Sequence, residues 1–262
     1  RRLIKHKTCE LGQELVIGKE DFSSLLKFYK DNPYTAETTS EGAVFKDKLK
    51  REVTFRGINI AAKIPLTEKE HLEANKRVSF LNTPFSLEDA PVHFTRLRYL
   101  GFNLIRWVVP WEAICPHEPG KYDKEYLKYL DKVIGLAEDF GFYILIDFHQ
   151  DVWSRFTGGS GAPLWTLEKT GFNVENFEET LASIVHNKKG MFPLGHLFWA
   201  TNADRYAVKT MYTLFFGGNA FAPDIKIDGK GIQDFLQESY IEAITQCAKK
   251  LKKHSHIIGY DV

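Results

Sequence analysis

Polar and charged residues close or interrupt three apolar stretches of the sequence, and their types could do chemistry. Lys63 follows the first stretch, Arg106 lies within the second, and the third runs into Asp147-Phe148-His149-Gln150-Asp151. Parallel α/β folds build their sites where the C-terminal ends of the strands meet. We therefore expect cations, an imidazole and carboxylates to converge at one rim and to form a site for a polar ligand.

Arg106 would place a cation in a strand that is otherwise apolar, which is costly unless a carboxylate or a charged ligand group neutralises it. We expect an acidic partner, either in a structural ion pair or in a site, and spacing alone does not choose between these. His149 and Asp151 face the same side only if the strand continues through both. A histidine at a strand end is more often a hydrogen-bonded structural residue than a catalyst, so this pair alone does not establish a reaction.

Glycine turns and aromatic residues alternate in the stretch that follows, residues 150–165. Trp153, Trp165 and, further along, Trp199 could stack on the apolar face of a sugar ring, although a single tryptophan is more often a core residue. The run Gly158-Gly159-Ser160-Gly161 lacks the Gly-Lys-Ser/Thr ending of a P-loop. We therefore reject a phosphate-binding loop at this position.

Four apolar segments predict the β-strands that position these residues, and they are residues 53–60, 103–109, 142–149 and 256–262. Apolar residues at helical spacing precede Gly101 and Gly141, as expected for helices that end at a glycine. The alternation predicts an α/β fold in which helices cover a parallel sheet.

A long insertion, residues 150–255, separates the third and fourth predicted strands, and only residues 232–251 within it are typical of a crossover helix. A segment of this length between neighbouring strands is usually functional. Inside it, the apolar run Met211–Phe216 either packs as a core helix or lines an apolar binding site.

Two regions are predicted along the chain, an N-terminal leader of residues 1–50 and a folded domain of residues 51–262. The leader is polar and rich in turn residues, which predicts irregular chain with one helix near residues 22–29. The last predicted strand has no turn or polar tail after it, so we expect the domain to be truncated at its fourth strand.

Composition argues against several classes of partner and site. Thirty-five Lys and Arg against 34 Asp and Glu leave a net charge of +1, which argues against nucleic acid or an anionic membrane as the main partner. No apolar run approaches the roughly 20 residues that cross a bilayer, which leaves peripheral membrane contact open. Cys9, Cys115 and Cys247 lack the spacing of a disulfide framework or a zinc site and favour a reducing compartment. The expected location is intracellular, either cytoplasmic or vacuolar, and targeting stays open.

Three motifs resemble, in their order, those of glycoside hydrolase family 5, and they are Phe55-Arg56-Gly57-Ile58-Asn59, Gly101-Phe102-Asn103-Leu104-Ile105-Arg106 and Asp147-Phe148-His149-Gln150-Asp151. The longer stretches 149–156 and 158–167 resemble the fungal branch related to endoglycoceramidases, which includes steryl-β-glucosidases and glucocerebrosidases. The similarity covers about everything from residue 53 onward.

This resemblance implies a (β/α)₈ TIM barrel, of which the chain would hold the first four strands, with the insertion after the third. It also implies a retaining mechanism, with one glutamate as nucleophile and another as acid and base, the two carboxyl groups ~5 Å apart. In the family the acid/base glutamate lies just after the fourth strand and the nucleophile lies on the seventh, so neither is expected in this chain. Glu112, Glu118 and Glu168 match neither position.

The resemblance gives supporting roles to five residues. Arg106 would orient and charge-stabilise the missing nucleophile, while His149 and Asp151 would hydrogen-bond glucose hydroxyls. Lys63 and Trp199 resemble sugar-contacting positions of endoglycoceramidases. No metal and no organic cofactor is implied.

From the resemblance we expect the full-length protein to hydrolyse the β-glucosidic bond of a glycolipid, either a steryl glucoside or glucosylceramide, and the 262-residue chain alone to be inactive. Two alternatives stay open. One is an endo-β-glucanase of the same family, which would need an open cleft rather than an apolar pocket. The other is a non-catalytic carbohydrate-binding half-barrel.

Overall fold

The computed structural model of the protein describes residues 35–39, 42–46, 50–63, 78–177, 179–185 and 199–262. Its strands are β1 (Thr35–Thr39), β2 (Gly42–Lys46), β3 (Gly57–Ala61), β4 (Leu104–Val108), β5 (Tyr143–Asp147), β6 (Lys226–Ile227), β7 (Lys230–Gly231) and β8 (Ile257–Asp261). Its α-helices are α1 (Ala90–Tyr99), α2 (Trp111–Ile114), α3 (Lys124–Asp139), α4 (Leu164–Lys169), α5 (Tyr206–Phe221) and α6 (Ile232–Leu251). The helix predicted near residues 22–29 lies outside the described residues.

A parallel sheet of four strands, in the order β3, β4, β5 and β8, forms the centre of the described chain. Each strand lies beside the next one along the sequence, as in the first half of a (β/α)₈ barrel. Arg106 pairs with Leu145, and Leu145 pairs with Gly259. Paired residues of neighbouring strands point to the same face, and so do Asp147 and Asp261, which pair two residues further along. One face of the sheet therefore carries Arg106 and both aspartates.

The four predicted strands are present and shorter than predicted, although β3 ends one residue beyond its predicted limit of 60. The prediction for the third strand was residues 142–149, whereas β5 is Tyr143–Asp147. The ladder ends there because the chain turns out of the sheet, although the Phe148 amide still donates to the Asp261 carbonyl at 2.9 Å. Strand limits depend on where the neighbouring strands end, and a single apolar run carries no such information.

Helices α1 and α3 begin and end at the residues that local sequence favours. Proline stands in the first turn of α1, where a missing N–H costs nothing. The side chain of Asp123 caps α3 by accepting a hydrogen bond from the Tyr126 amide at 2.9 Å. Gly101 and Gly141, with φ of 82° and 73°, adopt the left-handed conformation just after the two helices. Both predicted glycine stops are confirmed.

An antiparallel hairpin, β1 and β2, lies in the region that was predicted to be an irregular leader, and the prediction is wrong for these residues. The Val53 amide donates to the Phe45 carbonyl of β2 at 2.9 Å. The ring of Phe45 packs on Phe55 at 4.8 Å, and Phe55 packs on Tyr143, at the start of β5, at 5.6 Å. Contacts with residues distant in sequence thus attach the hairpin at the N-terminal end of the sheet.

The insertion contains two long helices that pack on each other, α5 and α6. Helix α6 has the bounds that the sequence predicted for the crossover helix. Met211 and Leu214 of α5 are buried, so the apolar run does form a helix that packs in the core. Its remaining apolar side chains line a cavity that is described with the site.

Two cysteines lie in the core of the described chain as free thiols, Cys115 after α2 and Cys247 on α6. Burial raises the pKa of Cys115 to about 11 and that of Cys247 to about 12. Both side chains are therefore protonated at neutral pH.

Candidate active site

Six residues in which acidic and basic side chains alternate form a line of contacts at the C-terminal ends of the strands, and we call this line the charged chain. In order of contact it consists of Asp261, Arg106, Asp147, His149, Asp151 and Lys63. Its members come from β8, β4, β5 and the segments that follow β5 and β3. The predicted convergence of polar residues at one rim is confirmed for Arg106, His149, Asp151 and Lys63.

Arg106 has two acidic partners. Its Nη2 lies 2.9 Å from Oδ2 of Asp147 and 3.2 Å from Oδ2 of Asp261. The Asp147 side chain is only 5% exposed, whereas that of Arg106 is 32% exposed. The expected acidic partner of Arg106 is thus confirmed, and the arginine keeps one side open to the rim. Its guanidinium can hold a further carboxylate there, because it carries five donors.

His149 lies between two carboxylates. Its Nδ1 is 2.9 Å from Oδ2 of Asp147, and its Nε2 is 3.2 Å from Oδ2 of Asp151. The hydrogen bond to Asp147 is the main reason why the pKa of His149 is raised, and Asp151 adds to it, while partial burial and the nearby Lys63 oppose the rise. The geometry favours an imidazolium that donates from both nitrogens.

Asp151 joins His149 to Lys63. One oxygen, Oδ2, accepts from His149 and also from Nζ of Lys63 at 3.0 Å. His149 and Asp151 meet although β5 ends at Asp147, so the same-side placement does not need a continuous strand. The other oxygen of Asp151 and the remaining protons of the half-exposed Lys63 can bind hydroxyl groups at the rim.

Trp199 lies on the insertion and is not a member of the charged chain. It begins the 3₁₀ turn Trp199–Asp204 and is 40% exposed. Asn202 of that turn is buried and donates from Nδ2 to the carbonyls of Ile184 and Trp199, at 2.9 and 3.2 Å. A Cβ on Gly158 would lie only 2.3 Å from this nitrogen, so the turn packs directly on the glycine run. The role of Trp199 in contacting a sugar stays a prediction.

Sequence reasoning missed the roles of Asp147 and Asp261. Asp147 binds both Arg106 and His149 through the same oxygen, so it holds the two predicted residues in a fixed relation. The signal was the two-residue period, since Asp147 lies two residues beyond Leu145, the partner of Arg106. The period shows that Asp147 and Arg106 share a face only when the register between β4 and β5 is known.

The three glutamates available in the sequence lie outside the charged chain. Glu112 is buried and forms an ion pair with Arg155. Glu118 is exposed and pairs with Lys121 three residues on, which lowers the pKa of Glu118 through a hydrogen bond. Glu168 is exposed near the end of α4. Within the described residues, none of the three glutamates forms an ion pair with a member of the charged chain.

An apolar cavity of about 630 Å³ lies between the glycine-rich segment after β5 and the helices α5 and α6, and two of its lining residues are sequence neighbours of members of the charged chain. Aromatic side chains form much of its wall, among them Trp111, Trp153, Tyr212, Phe215, Phe216 and Tyr240. Gln150, which lies between His149 and Asp151 in sequence, and Val262, which follows Asp261, also line it. The Tyr240 hydroxyl donates to the Phe148 carbonyl at 3.2 Å and so ties α6 to the end of β5.

Two features are absent from the described part of the chain. No group of three or more His, Cys, Asp or Glu side chains there is arranged to hold a metal ion. No helix in the described ranges has the length and apolar character that crossing a bilayer requires.

Comparison with known proteins identifies the family. Residues 81–262 match the model of Cellulase (glycosyl hydrolase family 5). A glucosylceramidase of Aspergillus fumigatus is 43% identical over 228 residues, which cover 83% of this chain and 30% of that protein. An ergosteryl-beta-glucosidase of Saccharomyces cerevisiae is 40% identical over 237 residues, 80% of this chain and 31% of that protein. The chain therefore spans about a third of the length of these relatives.

Solved structures agree with this assignment. The crystal structure of Cryptococcus neoformans sterylglucosidase 1 with hit 1 superposes with a TM-score of 0.80 at 35% identity, over 88% of this chain and 34% of that one. Endo-glycoceramidase II from Rhodococcus sp. shares the fold, with a TM-score of 0.54 at 21% identity over 82% of this chain and 40% of that one. The four parallel strands in chain order are thus part of a (β/α)₈ barrel, and the chain belongs to glycosyl hydrolase family 5.

Proposed function

We propose that the whole protein is a retaining β-glucosidase that hydrolyses the glucosidic bond of a steryl glucoside or of glucosylceramide. The observation that carries the proposal is the charged chain at the strand ends. The protein that contains it is 43% identical to a glucosylceramidase and 40% identical to an ergosteryl-beta-glucosidase. A retaining mechanism needs two glutamates at that rim. We propose that residues beyond Val262 supply them.

The charged chain is suited to support such a pair. Arg106 would orient the nucleophile and stabilise its charge, since a guanidinium favours the ionised form of a nearby carboxyl. His149, Asp151 and Lys63 would hydrogen-bond glucose hydroxyls, and Trp199 would contact the sugar. Contacts of this kind raise the rate when they strengthen in the transition state. The chain lacks the two glutamates that would act as nucleophile and as acid and base, however, so the 262-residue chain alone is expected to be inactive.

The apolar cavity supports a lipid-like aglycone. A sterol or a ceramide offers few hydrogen-bonding groups, so its binding depends on apolar surface removed from water. The cavity provides that surface, and Gln150, which lines it, lies between His149 and Asp151 in the sequence. An endo-β-glucanase would instead need a long open cleft lined with hydrogen-bonding groups for several sugars.

Glucose release from ergosteryl glucoside, glucosylceramide and a soluble β-glucan tests the proposal. The assay compares the 262-residue chain with a longer version that carries the rest of the barrel. We expect release from a lipid glucoside by the longer protein alone. Release from the glucan alone would replace the substrate class, and release by the short chain would show that the catalytic carboxylates are already present in it.

A further inference from the structure

A buried ion pair, Glu112 with Arg155, lies beside the charged chain without belonging to it. Nε of Arg155 is 2.9 Å from Oε1 and 3.0 Å from Oε2 of Glu112, and the two side chains are 2% and 3% exposed. The guanidinium also lies 4.1 Å from the centre of the Phe156 ring. Burial raises the pKa of Glu112, and Arg155 opposes that rise. A pair this deeply buried contributes little net stability, because the desolvation of both charges offsets their attraction.

The ion pair fixes a loop with an unfavourable backbone, residues 150–161, which we call the glycine loop. Val152 and Trp153 have φ of 40° and 76°. Such a backbone conformation is unfavourable for residues with a side chain and persists only where the surroundings enforce it, most often at functional sites. Here the Thr157 hydroxyl donates to the Val152 carbonyl at 2.6 Å, and Trp153 Nε1 donates to the Thr166 hydroxyl at 3.0 Å.

Glu112 holds the glycine loop at two points. Its side chain binds Arg155 in the middle of the loop, and its amide donates to the Gly161 carbonyl at 2.7 Å at the end of the loop. Asp151, at the beginning, exchanges two backbone hydrogen bonds with Ser160, both 2.9 Å long. The glycine loop is therefore closed at both ends, and its closure fixes the position of Asp151, which directly precedes Val152 and Trp153.

We infer that Glu112 and Arg155 are positioning residues that hold the Asp151 carboxylate against His149 and Lys63. Only the effect that we expect on catalysis rests on the proposed function. The local geometry carries the rest, since the left-handed turn directly follows Asp151 and the ion pair clamps the loop that the turn begins. Movement of the loop would withdraw one of the two carboxylates that bind the His149 ring.

The titration of His149, followed by NMR of the imidazole Cε1–H in the 262-residue chain, tests the placement without any activity. The charged groups around this ring are Asp147, Asp151 and Lys63, with Arg106 behind Asp147. In the double variant Glu112→Gln/Arg155→Met we expect the titration midpoint of His149 to fall, because the ring loses one of its two acceptors. Removal of both charges avoids an unpaired buried ion, and the melting temperature of the variant shows whether it still folds.

The exposed Glu118 provides the matched control, Glu118→Gln, which should leave the His149 midpoint unchanged. If the double variant does not fold, Arg155→Lys decides, because lysine keeps the charge but loses the planar donor geometry and the stacking on Phe156. A folded double variant, or failing that a folded Arg155→Lys protein, with the parental His149 titration would overturn the inference.

Activity of the longer protein supplies an independent readout. There we expect kcat/KM for a lipid glucoside to fall about tenfold in the double variant, the factor that loss of one charge-assisted hydrogen bond produces. Parental kcat/KM in the double variant would overturn the catalytic consequence. If the longer parent protein releases no glucose, the proposed function fails, whereas the titration still decides whether the ion pair places Asp151.

Discussion

At the scale of single residues, the site depends on charge balance. With His149 protonated, the charged chain contains three cations, Arg106, His149 and Lys63, and three carboxylates. Asp147 has the most buried side chain of the six, and Arg106 and His149 both donate to its Oδ2. Loss of one proton from His149 leaves a net negative charge in a partly buried place, so the protonation of this ring is coupled to stability.

Folding stability should therefore decrease as pH rises past the ordinary His149 value. The pKa of His149 is raised in the folded protein above its ordinary 6.5, chiefly by the hydrogen bond to Asp147. The stabilisation is then complete below about 6.5 and is lost as pH rises through the folded pKa. Melting temperatures of the parent and of His149→Gln across this range provide the measurement. We expect the difference between them to shrink with rising pH, and parallel curves would contradict the coupling.

At the scale of elements, a second histidine connects α3 with the turn that leads into β8. His254 is buried, and its Nε2 lies 2.8 Å from Oδ1 of Asp131 while its Nδ1 lies 2.5 Å from Oε2 of Glu138. The other oxygen of Glu138 accepts from the His256 amide at 2.8 Å. These bonds fix the chain between α6 and β8 against α3, at the point where the chain enters the sheet.

His254→Ala should lower the free energy of unfolding by about 2–4 kcal/mol, because Asp131 and Glu138 lose a buried hydrogen-bond partner. Urea unfolding of the parent and the variant measures the difference. His117→Ala serves as the control, since His117 is exposed, and it should change stability by no more than about 0.5 kcal/mol. A similarly small effect at His254 would show that solvent replaces its bonds.

How much of each element was predictable depends on where its stabilising contacts lie. Helix α6 follows from its own apolar pattern, and the four sheet strands follow from apolar runs that suit burial on both faces. The hairpin of β1 and β2 was not predicted, because β1 is polar and the three apolar residues of β2 are consecutive, so neither strand shows a two-residue apolar alternation. Phe45, on β2, packs instead on Phe55, at a distance in sequence that no local pattern encodes.

At the scale of the whole molecule, the fold was more predictable than the site. Burial of apolar runs and the glycine stops indicated a helix-covered parallel sheet, whereas the partners of Arg106 depend on strand register. The path of the glycine loop depends on Val152 in a left-handed conformation, which a β-branched residue rarely adopts. Tertiary contacts enforce this conformation, so residue preferences would have predicted the opposite.

The two buried thiols, Cys115 and Cys247, can report local unfolding of the protein. Since only the thiolate reacts readily and both groups are inaccessible and protonated at neutral pH, an alkylating reagent can modify them only in molecules that have opened. Cys115 follows α2, which carries Glu112, and Cys247 lies on the crossover helix α6. Faster alkylation at Cys115 than at Cys247, resolved by mass spectrometry, would reveal local opening beside the glycine loop. Equal rates would instead mean that the loop and the crossover helix open together as one unit.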